Sequence, residues 1–255
     1  MRVPDAIRDC AAYIYADSRG DGDRPVATAF FVSVLAEAPE RTDDIYLVTA
    51  KHVLLGQSNL SLRFNNRHGS AQIERLVNAS QWDCSQDEGV DIAALLLDEQ
   101  CAWLVDVSYE PIPIDKFSRD TAYDDVGIGD ELLITGLFVS QPGQKRNIPI
   151  VRSGIIAAMP EDELRDVYQD NTESKPYFAY FAELRSTGGL SGSPVFVVNG
   201  PARMVELNSN TPWDVAAGVG TISFRLLGLI RGHWYKPTTT ISQGNDAMYD
   251  SQAEE

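Results

Sequence analysis

Apolar and β-branched residues recur along the chain in short runs, and clusters of Gly, Pro, Asn and Asp separate the runs. Short runs bounded by turn-forming residues are typical of β-strands. A first set lies at residues 11–16, 27–35, 45–49, 60–64, 71–77 and 92–97. A second set lies at residues 131–139, 149–158, 177–184, 195–198 and 222–230. The pattern predicts an all-β chain, and its strand spacing suits closed antiparallel barrels better than a βαβ sheet.

A charged segment that begins at Pro113 separates the two sets, and the end of the chain is rich in Thr, Gln, Asn, Asp and Glu. Polar segments of this kind are typical of linkers and of disordered tails. We therefore predict an N-terminal barrel at residues 1–112 and a linker at residues 113–125. A C-terminal barrel is predicted at residues 126–236, and a disordered acidic tail at residues 237–255.

The 255-residue chain carries a formal net charge of −16 at pH 7. This charge argues against nucleic acids and anionic membranes as partners, because both are themselves negative. The first ten residues lack the apolar core of a secretory signal, so we expect a cytoplasmic protein. The three cysteines form no Cys-x-x-Cys pair, so neither a disulfide framework nor a metal site is predicted.

A serine lies among glycines at residues 187–194, in the order Thr-Gly-Gly-Leu-Ser-Gly-Ser-Pro, directly before the apolar run 195–198. Such a loop exposes one hydroxyl, that of Ser191, and lets backbone N–H groups approach a bound oxygen closely. A nucleophile and an oxyanion hole need these features. A plain Gly/Ser turn between two strands is the alternative interpretation of the motif alone.

A nucleophilic serine needs a base, and the chain has three histidines. His68 lies in a polar loop and His233 follows the serine, whereas His52 comes directly after the predicted strand at residues 45–49. Asp91 stands immediately before the apolar run 92–97 and is the candidate that would orient His52. A core or surface histidine is the alternative for His52.

These segments together resemble the trypsin-like serine peptidases of the chymotrypsin fold, over residues 25–235. The serine loop resembles the family's Gly-x-Ser-Gly-Gly/Ser-Pro, residues 49–52 resemble Thr-Ala-x-His, and residues 91–95 resemble Asp-Ile/Leu-Ala-x-Leu. The chain order of His52, Asp91 and Ser191 is also that of the family, whereas an α/β-hydrolase places its nucleophile first. Val53 stands where secreted animal relatives carry a disulfide cysteine, so the likeness is to the disulfide-free bacterial or viral-type branch.

The resemblance implies two six-stranded antiparallel β-barrels packed side by side, with the active site in the cleft between them. It implies a serine endopeptidase that acts on proteins or peptides without a cofactor. The catalytic residues would be His52, Asp91 and Ser191, and the backbone N–H groups of Gly189 and Ser191 would form the oxyanion hole. Leu190 replaces the aspartate through which zymogen-activated relatives are switched on. A regulatory partner or loop ordering is therefore expected, although a constitutively formed site fits the sequence equally well.

The family's spacing places Arg185 near the base of the pocket for the side chain before the cleaved bond. Arg231, Gly232 and His233 lie on the strand that would pair with substrate backbone and form the wall of that pocket. A buried guanidinium would favour acidic substrate side chains. The alternative is that Arg185 points to solvent and the pocket accepts small or apolar residues. Two other functions stay open, namely a latent or inactive fold that binds peptides, and an esterase.

Overall fold

The strands form two antiparallel sheets, which confirms the all-β prediction. This is a computed structural model, and it describes residues 2–16, 24–35, 43–69, 72–97, 101–118, 126–164, 176–185, 188–199, 214–217 and 220–232. One short α-helix, α1 (Asp5–Asp9), precedes the first strand. Short 3₁₀ helices lie at Lys51–Leu54, Ala79–Gln81, Ala102–Asp106 and Ile114–Lys116. No helix within these ranges is long and apolar enough to cross a membrane.

The first sheet contains eight strands in the order β5-β4-β1-β2-β3-β7-β6, and β8 pairs with β2 in parallel. Their bounds are β1 (Ala11–Ala16), β2 (Arg24–Val34), β3 (Asp44–Thr49), β4 (Asn59–Asn65), β5 (Gln72–Asn78), β6 (Asp83–Cys84), β7 (Ala93–Leu97) and β8 (Ile112–Pro113). Six strands were expected. The two additional ones, β6 and β8, have two residues each, which is too short to produce an apolar run.

Alternate residues of β2 face two different apolar clusters. Ala27, Ala29 and Phe31 belong to the cluster of the first sheet, whereas Phe30 and Val32 belong to a second cluster. Successive strand residues point to opposite faces, so a strand buried on both faces is apolar throughout. The first cluster also takes side chains from β1, β3, β4, β5 and β7, because the sheet curls around it as a half-barrel.

The second sheet has six strands, the number that the resemblance implies, in the order β11-β10-β9-β12-β14-β13. Their bounds are β9 (Glu131–Gly136), β10 (Ile150–Ala158), β11 (Phe181–Leu184), β12 (Pro194–Asn199), β13 (Asp214–Ala217) and β14 (Gly220–Leu229). The four-residue β13 was not predicted. The other five strands coincide with the apolar runs of the sequence to within a few residues.

One apolar cluster joins the two sheets. Phe30 of β2 packs there with Phe196 of β12 and Phe224 of β14, and all three are almost fully buried. Burial of one such side chain contributes about 1.5–3 kcal/mol relative to exposure. Ile7 of α1 lies in the same cluster, so the helix fills the space between the sheets. Five residues give too short a pattern for a helix to be predicted.

The predicted linker makes ordered contacts where the structure describes it. Phe117 forms a β-bridge with Leu226, and the N–H of Ser118 donates to the carbonyl oxygen of Leu226 at 2.8 Å. Residues 119–125 and the predicted tail at residues 237–255 lie outside the described residues. The domain boundaries therefore stay a prediction, while the cluster between the sheets holds the two halves together.

Candidate active site

His52 and Asp91 form a doubly hydrogen-bonded pair. His52 Nδ1 lies 2.6 Å from Asp91 Oδ2, and the backbone N–H of His52 donates to Asp91 Oδ1 at 2.8 Å. The Asp91 side chain is 13% exposed and the His52 side chain is 41% exposed. The carboxylate is therefore largely shielded, while the histidine ring remains accessible.

The strand register accounts for this pairing. Strands β3 and β7 are antiparallel, and their last described pair is Thr49 with Ala93. Continuation of the same register brings Lys51 opposite Asp91, and the Lys51 N–H donates to the Asp91 carbonyl oxygen at 3.3 Å. The 3₁₀ helix that begins at Lys51 then turns His52 over the Asp91 carboxylate.

The Asp91 carboxyl group has a pKa below its ordinary value. Burial is the largest influence and acts in the opposite direction, because desolvation disfavours the charged form. The hydrogen bonds from the ring and backbone of His52 lower this pKa, as does the electrostatic influence of His52 and Arg231, and together they outweigh burial. Asp91 is consequently ionised at neutral pH. An ionised carboxylate only accepts hydrogen bonds, so the proton of this pair belongs on His52 Nδ1.

Ser191 lies in a tight loop that is anchored on both sides. Leu190 is 2% exposed and packs in the core of the second sheet. After the serine, the Gly192 N–H donates to the Ile230 carbonyl oxygen at 2.8 Å, and the Ile230 N–H donates to the Ser193 carbonyl oxygen at 2.9 Å. The backbone of Ser191 is therefore fixed between a buried leucine and the end of β14.

The serine loop contacts the segment that leads to His52. The Ser191 carbonyl oxygen accepts from the N–H of Thr28 at 3.0 Å. Gly192 has a φ of +77°, and a Cβ there would overlap the Thr28 carbonyl oxygen and the Thr49 hydroxyl. The same Cβ would be 3.0 Å from the backbone nitrogen of Ala50, two residues before His52. This close approach of two backbones requires glycine, and it brings the Ser191 loop against the His52 segment.

Gly189 also occupies a position that requires glycine. Its φ is +91°, and a Cβ would be 2.6 Å from Val139 Cγ2. The Gly189 carbonyl oxygen accepts from the Thr28 hydroxyl at 3.0 Å, and that hydroxyl in turn accepts from the Leu137 N–H at 2.8 Å. The two residues predicted to form the oxyanion hole, Gly189 and Ser191, are thus hydrogen-bonded to the same threonine.

Thr28 was not predicted to belong to the site. It is fully buried in β2 and bonds through its N–H, its carbonyl oxygen and its hydroxyl. A buried polar side chain has to be hydrogen-bonded, so a lone threonine between Ala27 and Ala29 in an apolar strand was the signal available in the sequence.

The residues predicted to bind substrate do not form one group. Arg185 is exposed, so the buried guanidinium that the acidic-pocket hypothesis assumes is not found there. Arg231 donates to the Gly89 carbonyl oxygen at 3.3 Å, on the Asp91 side of the site. Gly232 is exposed, and His233 lies outside the described residues. The substrate-binding role of these residues stays a prediction.

Comparison with known proteins gives only distant similarity. No protein-family model matches the chain. No curated protein matches it either. Among solved structures, 48 chains match. One of them is entitled "Atomic resolution structure of HBP", and it has 15% sequence identity and a TM-score of 0.42, with 89% of this chain and 90% of that chain covered. The interpretation of the site therefore rests on its own residues and contacts.

Proposed function

We propose that this protein is a trypsin-like serine endopeptidase with His52, Asp91 and Ser191 as its catalytic residues. The observation that carries the proposal is the doubly hydrogen-bonded His52–Asp91 pair, whose ring nitrogen Nδ1 is 2.6 Å from the carboxylate. The pair lies beside a loop in which Gly192 packs against Thr49 and Ala50. A base that is held by an ionised carboxylate and lies next to a serine in a glycine-containing loop is the arrangement that activates a hydroxyl.

In the proposed reaction, Ser191 Oγ attacks the carbonyl carbon of a peptide bond while His52 Nε2 takes the hydroxyl proton. Asp91 stays ionised and keeps the Nδ1 proton on the opposite side of the ring. The backbone N–H groups of Gly189 and Ser191 stabilise the developing oxyanion, and each donor contributes about 3–4 kcal/mol in comparable sites. His52 then protonates the leaving amine, and water hydrolyses the acyl-enzyme.

The proposed substrate is a protein or a peptide, and no cofactor takes part. Leu190 is buried in an apolar cluster. Relatives of the family that are activated from a zymogen would carry an aspartate at this position. A buried leucine holds the loop without an ion pair, which favours a site that is formed without cleavage of the chain. Regulation by a protein partner remains part of the proposal, because selective proteolysis needs control outside this loop.

The test is digestion of a denatured protein mixture by the purified chain, with new N-termini identified by mass spectrometry. Native protein is expected to generate new N-termini that Ser191→Ala does not. Parallel assays with a neutral aryl ester separate the other functions. Ester hydrolysis without peptide cleavage would favour an esterase. The absence of both reactions, together with retained binding of peptides, would replace the proposal with a peptide-binding module.

A further inference from the structure

Three separate segments meet behind Asp91. The first is the turn at Gly89, two residues before Asp91, and the second contains Pro176 and Tyr177. A Cβ at Gly89 would be 2.9 Å from the Pro176 carbonyl oxygen, so these two backbones are in close contact. The third segment follows β14 and contributes Arg231, whose guanidinium contacts both of the others.

The contacts of Arg231 are specific in geometry. Its Nη1 donates to the Gly89 carbonyl oxygen at 3.3 Å. Its guanidinium carbon lies 3.5 Å from the centroid of the Tyr177 ring, which is a stacking distance for a cation on an aromatic face. Tyr177 is itself 7% exposed, and its N–H and carbonyl oxygen bond the backbone of Leu164 at 3.0 and 2.8 Å. Arg231 therefore lies on a fixed aromatic platform and holds the turn that carries Asp91.

We propose that Arg231 is a positioning residue for Asp91 rather than a substrate-selecting residue. By fixing Gly89, it keeps the Asp91 carboxylate in register with both donors of His52. This inference rests on the proposed function for its effect on catalysis, although the contact itself is structural. It reassigns a residue that the sequence suggested for the substrate pocket.

The charge of Arg231 also supports a role in keeping Asp91 ready to orient His52. Burial is the largest influence on the pKa of Asp91 and raises it, and the His52 hydrogen bonds then lower it. The charge of Arg231 adds to the lowering. A cation at this place therefore favours the ionised carboxylate that orients His52, and it does so from the second half of the chain.

A positioning role and a selecting role predict different kinetics. A residue that selects acidic side chains changes KM for charged substrates and leaves neutral ones unaffected. A residue that positions Asp91 lowers the rate of acylation for every substrate, because all of them use the same base. Small displacements of catalytic groups reduce rates by up to about 100-fold.

The experiment compares Arg231→Met, Arg231→Lys and Tyr177→Leu with native protein. Arg75→Met is the matched control, because the Arg75 guanidinium also lies over an aromatic ring, that of Trp103 at 5.3 Å, but on the first sheet. Circular dichroism and thermal unfolding identify any variant that does not fold. If Arg231→Met does not fold, Arg231→Lys and Tyr177→Leu carry the test.

The first readout does not depend on activity. The proton NMR signal of His52 Nδ1 is recorded in protein labelled with ¹⁵N-histidine. We expect this proton to exchange faster with water in Arg231→Met and Tyr177→Leu, with partial recovery in Arg231→Lys and no change in Arg75→Met. An unchanged signal in folded Arg231→Met would overturn the inference.

The second readout is the rate of labelling by an uncharged fluorophosphonate, together with hydrolysis of a neutral and a carboxylate-bearing aryl ester. We expect about a 10- to 100-fold lower labelling rate in Arg231→Met, with the ratio between the two esters unchanged. Selective loss of the acidic ester would return Arg231 to the substrate pocket. If the native protein is not labelled at all, the proposed function fails, and the NMR readout alone decides the role of Arg231.

Discussion

The carbonyl oxygen of Ser191 accepts a hydrogen bond from the backbone N–H of Thr28 at 3.0 Å. Ser191 lies in the loop before β12 of the second sheet, and Thr28 lies in β2 of the first sheet. This hydrogen bond therefore joins the two halves of the molecule. The Thr28 carbonyl oxygen in turn accepts from the Thr49 hydroxyl at 2.8 Å, at the end of the strand before His52. One backbone–backbone bond and one bond from the Thr49 side chain therefore fix the serine segment relative to the histidine segment through Thr28.

Asp91 should make the fold sensitive to acid. Its pKa is lower in the folded chain than the ordinary value of 3.8, so the folded state holds its proton less tightly than the unfolded state. The stabilisation that ionised Asp91 provides is complete well above the ordinary pKa of 3.8. It is lost as the pH falls from there through the lower pKa of the folded state. We expect native protein to lose more stability than Asp91→Asn between about pH 5 and about pH 3, measured as urea midpoints.

The control for this experiment is Asp83→Asn, because Asp83 is exposed on β6. The urea midpoint of Asp83→Asn should change with pH as that of native protein does. If the urea midpoints of native protein and Asp91→Asn change equally with pH, the His52–Asp91 pair contributes no pH-dependent stability.

Gly192→Ala should disrupt the serine loop. The added Cβ would overlap the Thr28 carbonyl oxygen and the Thr49 hydroxyl, and the positive φ adds about 1–2 kcal/mol of backbone strain. We expect a lower unfolding temperature and loss of fluorophosphonate labelling. Gly188→Ala is the control, since a Cβ there would only touch Val139 Cγ2 at 4.0 Å. Equal behaviour of the two variants would refute the close backbone approach.

Leu190 should hold the serine loop through apolar burial. Its side chain is 2% exposed and lies in the cluster that includes Val195 and Ile134. Leu190→Ala would leave a cavity, and we expect it to cost about 2–5 kcal/mol of unfolding free energy and to slow labelling. Leu190→Met nearly conserves the volume and should retain both properties. If Leu190→Ala labels at the native rate, burial of this residue does not position Ser191.

Arg63 and Asn147 form a buried polar contact between β4 and the loop after β9. Arg63 Nε donates to Asn147 Oδ1 at 2.6 Å, and Asn147 Nδ2 donates to the Arg63 carbonyl oxygen at 2.7 Å. Hydrogen bonds to charged groups contribute about 1.5–3 kcal/mol, so Asn147→Ala should destabilise the fold by that order in urea unfolding. The exposed Gln144→Ala, in the same loop, should change stability little. Equal stabilities of the two variants would contradict this account.

Much of the fold follows from the apolar pattern, because strands such as β2 and β12 are buried on both faces and read as continuous apolar runs. Arg63 shows the limit of that reasoning. It occupies an alternate position of β4 that favours a solvent-facing side chain, yet the loop at residues 141–147 covers it. Nothing in the sequence near Arg63 indicates which distant loop will pack there.

In the candidate site, too, local sequence is informative and contacts between distant segments are not predictable. Local motifs predicted His52, Asp91 and Ser191, and the structure pairs His52 with Asp91 and brings the loop of Ser191 against the His52 segment. Their catalytic role stays a prediction. The contact between Arg231 and Gly89 joins positions 142 residues apart, and it depends on how the end of β14 docks on the first sheet. The sequence therefore could not indicate this contact, on which the proposed positioning role of Arg231 rests.

The most direct measurement of the central claim is the site of fluorophosphonate labelling, determined by mass spectrometry on the native chain and on three variants. Labelling is expected at Ser191 in native protein and in Ser193→Ala, whose hydroxyl is buried and makes no hydrogen bond within the described residues. It should be absent in Ser191→Ala and in His52→Ala. Failure of the native chain to label, or equal labelling of Ser191→Ala, would contradict an activated serine at this position.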